Sequence, residues 1–151
     1  MIGRVVAAGL LGSAASAAAA LIASRIENGH AARPLNAVTH IIDGGPPPAH
    51  DGERWRNTLL GFAIHTAASV WWAAFYEPVS KRRPVPAAAA VSAVAYVVDY
   101  YVVPPRFRPG FEEHLSAGSL FAVYAALAAG FALAGLMRAR RCAGPKAAEP
   151  A

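Results

Sequence analysis

Four apolar stretches, residues 5–24, 57–76, 86–103 and 117–137, run along the chain with proline- and arginine-marked breaks between them. A helix that crosses a hydrocarbon core of about 30 Å needs roughly 17 to 25 mostly apolar residues, so each stretch is long enough to span. Of the 151 residues 56% are hydrophobic and only 15% charged, too little polar surface for a soluble domain of this size. The expected fold class is therefore all-α: one integral membrane bundle of four transmembrane helices over residues 1–137, with a disordered basic tail over residues 138–151.

The net charge of +5 raises the question of nucleic acid. Lys and Arg, however, sit in short clusters beside the hydrophobic stretches and not along one amphipathic face, so no nucleic-acid partner is expected. Cys142 is the only cysteine, which excludes an intramolecular disulfide and any CxxC metal pair. Arg4 precedes the first stretch as in a secretory signal, but the apolar run continues to Ile22 and Ala23, beyond the roughly 7 to 15 residues of a signal core, so the segment is expected to stay as a helix. Lys81, Arg82 and Arg83 fill the turn between the second and third stretches, and Arg138, Arg140 and Arg141 follow the fourth. The positive-inside rule then puts both termini in the cytoplasm and the long first loop outside.

Boundaries are marked by specific residues. Trp55 begins the second stretch and Trp71, Trp72, Phe75 and Tyr76 end it, rings that suit the two water interfaces. Glu77-Pro78 is expected to stop that helix, Pro86 to open the next and Pro104-Pro105 to close it. Ser116 is placed to cap the fourth, with Glu112 and Glu113 near its positive end. In the first loop, Pro34 can start a short helix through LNAVTHII, with Leu35, Val38, Ile41 and Ile42 at helical spacing, until Gly44, Gly45 and three prolines stop it. It would lie in the interface or fold back over the bundle.

Lipid tails are as apolar as leucine, so helices in a membrane associate through small residues and interhelical hydrogen bonds. The fourth stretch offers Gly118, Ala122, Ala126, Gly130 and Ala134, a small residue at every fourth position and an expected close-contact face. The first offers Ala8, Gly12, Ser16, Ala20 and Ser24 in the same pattern, within a segment so rich in alanine that such stripes arise partly by chance.

Ionisable groups inside a membrane segment are costly and point to function. Thr58, Gly61, His65 and Ser69 share one face of the second helix, and Ser92, Tyr96 and Asp99 one face of the third. At about 1.5 Å per residue, His65 and Asp99 differ in depth by only about 6 Å, which suggests a hydrogen bond between them, directly or through water or Tyr96. Such a pair has the chemistry of a proton relay or cation site. His40, Asp43, Arg106, Arg108 and His114 are the candidates on the outer side, where Arg106 and Arg108 could meet an anionic headgroup. HExxH, HxxxH and CxxC spacings are absent, as are nucleophile elbows and phosphate loops, so neither metal, cofactor nor reaction is expected.

The segments LNAVTHIIDGG, TLLGFAIHTAASVWWAAFYEP and YVVDYYVVPPRFRPGFEEHLS together resemble a group of small four-helix inner-membrane proteins of Gram-negative bacteria whose activity is uncharacterised. The resemblance spans roughly residues 34–127 and implies a bacterial inner-membrane location, without an activity, cofactor or site. The functional expectation is a non-enzymatic membrane protein acting by helix association with a second copy, with a membrane partner or with lipid. The alternative is a transporter or channel component with a proton- or cation-linked polar site at His65 and Asp99.

Overall fold

The computed structural model describes residues 1–45 and 55–142, and the order of elements is α1 (Ile2–Asn28), α2 (Arg33–Ala37), α3 (His40–Asp43), α4 (Trp55–Val79), α5 (Pro84–Val97) continued by a π-helical turn (Val98–Val102), two 3-10 turns (Pro105–Phe107 and Phe111–Glu113) and α6 (Ala117–Cys142). There is no strand among the described residues. Among the described residues four helices are long and apolar enough to cross a membrane, which makes the chain an all-α, multi-pass membrane bundle. At about 1.5 Å per residue the 27 residues of α1 reach beyond a 30 Å hydrocarbon core.

Burial in this bundle does not sort apolar from polar side chains as in a water-soluble one. Leu10, Ile22, Leu59, Trp71, Val94 and Phe121 are exposed, while Ser13, Ser16, Ser24, Ser69 and Ser92 are buried. Hydrocarbon outside removes the penalty for exposing large apolar groups, and close packing inside selects small ones. Around the bundle the helices follow the order α4, α1, α6, α5: α1 packs broadly on both α6 and α4, α6 on α5, and α4 meets α5 only sparsely.

The α1–α6 seam rests on two glycines. A Cβ on Gly130 would lie 2.5 Å from the Leu11 carbonyl oxygen and 2.6 Å from Gly12 Cα, and one on Gly12 would lie 2.6 Å from the Phe131 ring. All five residues of the α1 stripe, Ala8, Gly12, Ser16, Ala20 and Ser24, are buried. The α6 stripe is not: Gly118 and Ala122 are exposed, Ala126 and Ala134 half-buried, and only Gly130 is enclosed. The buried face of α6 instead carries Leu120, Val123, Leu127 and Phe131. Large residues on α6 fill what small residues on α1 leave open, so a face of α6 built only of small groups would leave voids.

Several boundaries differ from those expected. Pro78 sits inside the last turn of α4, which continues to Val79. A proline costs the helix one donor, but here Ser80 N–H still donates to the Tyr76 carbonyl at 3.0 Å, and an ion pair between Arg138 Nη1 and Glu77 Oε2 at 2.6 Å holds the turn. Arg138 Nη2 also donates to Ser80 Oγ at 3.1 Å. Tyr76 is fully buried and stacked on Phe131 at 5.2 Å, so it belongs to the core and not to the interfacial belt, whereas Trp55, Trp71 and Phe75 are exposed. The fourth span runs on to Cys142, so residues 138–142 of the expected tail are helical, with Arg140 and Arg141 in the last turn favoured by the helix dipole. Residues 143–151 and the triple proline at 46–48 lie outside the described residues.

Ser116 caps α6 through Ser119 N–H donating to its Oγ at 3.3 Å. The acid at that terminus is Glu27 from α1, in place of Glu112 and Glu113: Ser116 N–H, Ser116 Oγ–H and Ser119 Oγ–H donate to its carboxylate at 2.9, 2.6 and 2.6 Å. A carboxylate answering free N–H groups at a helix start is favourable, and this one ties the end of α1 to the beginning of α6.

Candidate functional site

The short helix expected in the first loop divides into α2 and α3, and it folds back over the bundle, with Pro34 through His40 buried. Its approach depends on Gly61 of α4, where a Cβ would lie 1.8 Å from the Leu35 carbonyl oxygen. Thr58 Oγ1 donates to Asn36 Oδ1 at 2.7 Å, so Thr58 fastens this lid and does not face the interior polar site. Asn28 Nδ2 donates to the His114 carbonyl at 2.5 Å and draws the segment before α6 against the same end.

Under the lid lies a cavity of about 100 Å³, lined among others by Ser16, His65, Ser69, Trp72, Asp99, Phe107, Phe111 and Tyr124. A space able to hold a water needs only about 10 to 15 Å³ on this measure, so several small groups fit. His65 and Asp99 thus share one cavity, but the expected hydrogen bond between them is replaced by a separate partner for each. His65 Nε2 pairs with Ser16 Oγ at 2.9 Å. The Ser16 hydroxyl has one hydrogen and donates it to the Gly12 carbonyl at 2.8 Å, which assigns the hydrogen of the imidazole contact to Nε2. Asp99 Oδ2 accepts from Tyr124 O–H at 2.7 Å, and the Trp72 indole lies against the same cavity. The bond expected through Tyr96 is absent for a packing reason: its ring lies against Tyr100 and Tyr124, each at 5.3 Å, and Tyr124 reaches the carboxylate first.

Asp99 belongs to the π-helical turn that ends the third span. Val103 N–H donates to the Val98 carbonyl at 2.9 Å, a wider loop than an α-turn makes, and Pro104 then closes the segment. Inserted residues of this kind re-aim side chains, and here Asp99 and Tyr100 turn inward. Ser69 Oγ–H donates to the His65 carbonyl at 2.9 Å, so it lines the cavity while spending its hydrogen within α4. Phe111 closes the top, buried and 5.7 Å from the His65 ring.

The remaining loop candidates do not converge on the cavity. His40 is buried and its Nδ1 pairs with the Ala37 carbonyl at 2.6 Å, beneath Gly110, whose φ of 80° lets the following turn pass over the imidazole. Asp43 and Arg106 are exposed, and Arg106 lies 6.0 Å from the Phe107 ring. Arg108 and His114 are half-buried and neither lines the cavity. Among the described residues no three His, Cys, Asp or Glu side chains are grouped so as to hold a metal.

Four residues that build the site were not read as such from the sequence. Ser16 appeared only as a packing position and Trp72 only as an interfacial ring. Tyr124 did carry a signal: it is a hydroxyl-bearing ring amid Leu120, Val123, Leu127 and Phe131, the apolar positions of α6. Phe111, in a polar loop, gave none. No family model matches the chain, and neither a curated protein nor a solved structure does.

Proposed function

We propose that this chain is a non-enzymatic protein of a bacterial inner membrane, with both termini in the cytoplasm, that holds a proton or a small cation at His65 and Asp99 as a transporter or channel component. The observation that carries the reading is the shared cavity of about 100 Å³, which brings a carboxylate and an imidazole from different helices together under a lid. Ionisable groups facing an interior space are the usual elements of ion pathways in membranes. The resemblance to small Gram-negative inner-membrane proteins and the Lys81–Arg83 turn support the location and orientation. The purified chain in liposomes loaded with a pH-sensitive dye tests the function. A pH-dependent flux that Asp99→Asn abolishes is expected, and an unchanged flux in that variant ends the proposal.

Association is the second reading, and exposed Gly118 and Ala122 favour it, since small residues on a lipid-facing helix allow a second membrane helix close approach. The occupant would be another copy of the chain. Replacing Cys142 by Ser and Gly118 by Cys should then give a disulfide-linked dimer in membranes, and a purely monomeric product removes this reading.

A further inference from the structure

The geometry points to an organic ammonium as the ligand of the lidded cavity, bound by Asp99 within a wall of aromatic rings. This rests on the His65/Asp99 reading above and names the ligand class. Asp99 is the one carboxylate among the residues that line the cavity, and no Arg or Lys lines it. Trp72, Phe107, Phe111 and Tyr124 line the same cavity. Tyr124 and the Trp72 indole N–H each take an acceptor position of the carboxylate, which has about four, so capacity remains for an N–H donor or for a close positive charge.

The chemistry separates three classes of cation. Divalent metals need several oxygen or nitrogen ligands at fixed geometry, and the described residues group no three such side chains. An alkali ion would have to exchange its hydration shell for a ring of oxygens, and rings of carbon supply few. An alkylated ammonium carries a diffuse, weakly hydrated charge that aromatic faces attract by about 0.5 to 2 kcal/mol each. Its alkyl groups also suit the apolar lining, and a cavity of about 100 Å³ accepts a head group of a few heavy atoms. Of the lining rings, Phe107, at the end of the Pro105–Phe107 turn, is 53% exposed and Phe111 is 2% exposed, so the lining reaches from the surface into the interior.

Trp72 lines the cavity and can report on it once Trp55 and Trp71, both exposed, are replaced by Phe. Tetramethylammonium chloride would be titrated against the full chain in detergent, with KCl and NaCl at matched ionic strength. A saturable change in Trp72 fluorescence with tetramethylammonium alone is expected. Asp99→Asn should weaken it at least tenfold, Phe111→Leu several-fold, and Asp43→Asn, exposed and away from the cavity, not at all. Should Asp99→Asn fail to fold, Phe111→Leu, which keeps an apolar side chain and removes the ring, carries the test. An equal response to KCl or NaCl, or full affinity in Phe111→Leu, overturns the ammonium assignment and leaves the His65/Asp99 cation site standing. If neither ammonium, alkali ions nor pH produces a response sensitive to Asp99, both proposals fall.

Discussion

The seam between α1 and α6 and the gap between α4 and α5 are built from similar material, alanine-rich helices with a few aromatic residues, yet one is closed to backbone contact and the other is open. In the first, Gly12 and Gly130 meet with no room for a Cβ on either side. In the second, a groove of about 480 Å³ runs between the helices, lined by Trp72, Phe75, Val79, Pro86, Ala90 and Val94 with Arg83 at one end. Alanine content therefore does not decide which helices associate. What decides is where glycine permits backbone contact and whether the facing helix supplies rings to fill the space beside it. Phe131 fills the α1–α6 seam, whereas Trp72 and Phe75, near the end of α4, line the groove toward α5 without closing it.

Breaking the closed seam should have the largest effect. Gly130→Val places atoms against the Leu11 carbonyl and Gly12 Cα, both backbone, so the two longest helices must separate. Overpacking of this kind costs about 3 kcal/mol, and unfolding in detergent followed by circular dichroism should show the loss as an earlier midpoint. A native midpoint would show that the seam is looser than the glycine contact implies.

Gly61→Ala tests the same backbone approach at a place free to yield. Its Cβ meets the Leu35 carbonyl, but α2 is only five residues long and can lift as a unit. A cost of about 1 to 2 kcal/mol is expected, with hydrogen exchange faster in residues 33–43 while α1 and α6 keep their protection. Exchange that quickens equally throughout would mean that the lid and the seam are one cooperative unit.

Glu77→Gln addresses the terminal end of the bundle, where Arg138 joins α6 to the last turn of α4. Both side chains are largely shielded, Glu77 8% and Arg138 17% exposed, so the bond is not a freely solvated surface pair. Gln retains an acceptor for Arg138 and loses the charge, for an expected cost of about 1 kcal/mol. Double replacement with Arg138→Met should recover part of it, a coupling that a double-mutant cycle measures.

How far the sequence could lead is seen in the contrast between spans and seams. Length and apolarity identify four spans because the bilayer imposes one thickness on every helix, and Pro104 and Ser116 mark ends through local backbone chemistry, while the third span opens at Pro84, two residues before the Pro86 expected, since either proline suits a first helical turn. Which face of each helix turns inward is a tertiary matter. Gly118 and Gly130 look alike in an every-fourth-residue pattern, but only Gly130 faces another backbone. The site was legible to the same degree. His65 and Asp99 stand out because ionisable groups are rare in such spans, and the π-helical turn, which decides what Asp99 faces, leaves no pattern in YVVDYYVV. Their partners Ser16 and Tyr124 come from α1 and α6, separated from them by 49 and 25 residues.

The smallest effect should come from Ala90→Leu, judged against a buried neighbour on the same helix. Ala88 and Ala90 lie two positions apart on α5: Ala88 is buried against the core containing Tyr76, Leu127 and Phe131, while Ala90 is exposed in the groove toward α4. Ala88→Leu has to find volume in a filled space and should cost about 1 to 3 kcal/mol. Ala90→Leu enters a groove that already accepts hydrocarbon, and its stability should stay within about 0.5 kcal/mol of the parent. A loss at Ala90 equal to that at Ala88 would show α4 and α5 in closer contact within a bilayer than the groove allows. The α4–α5 gap would then be a second seam, and the contrast with α1–α6 would reduce to a difference in side-chain size.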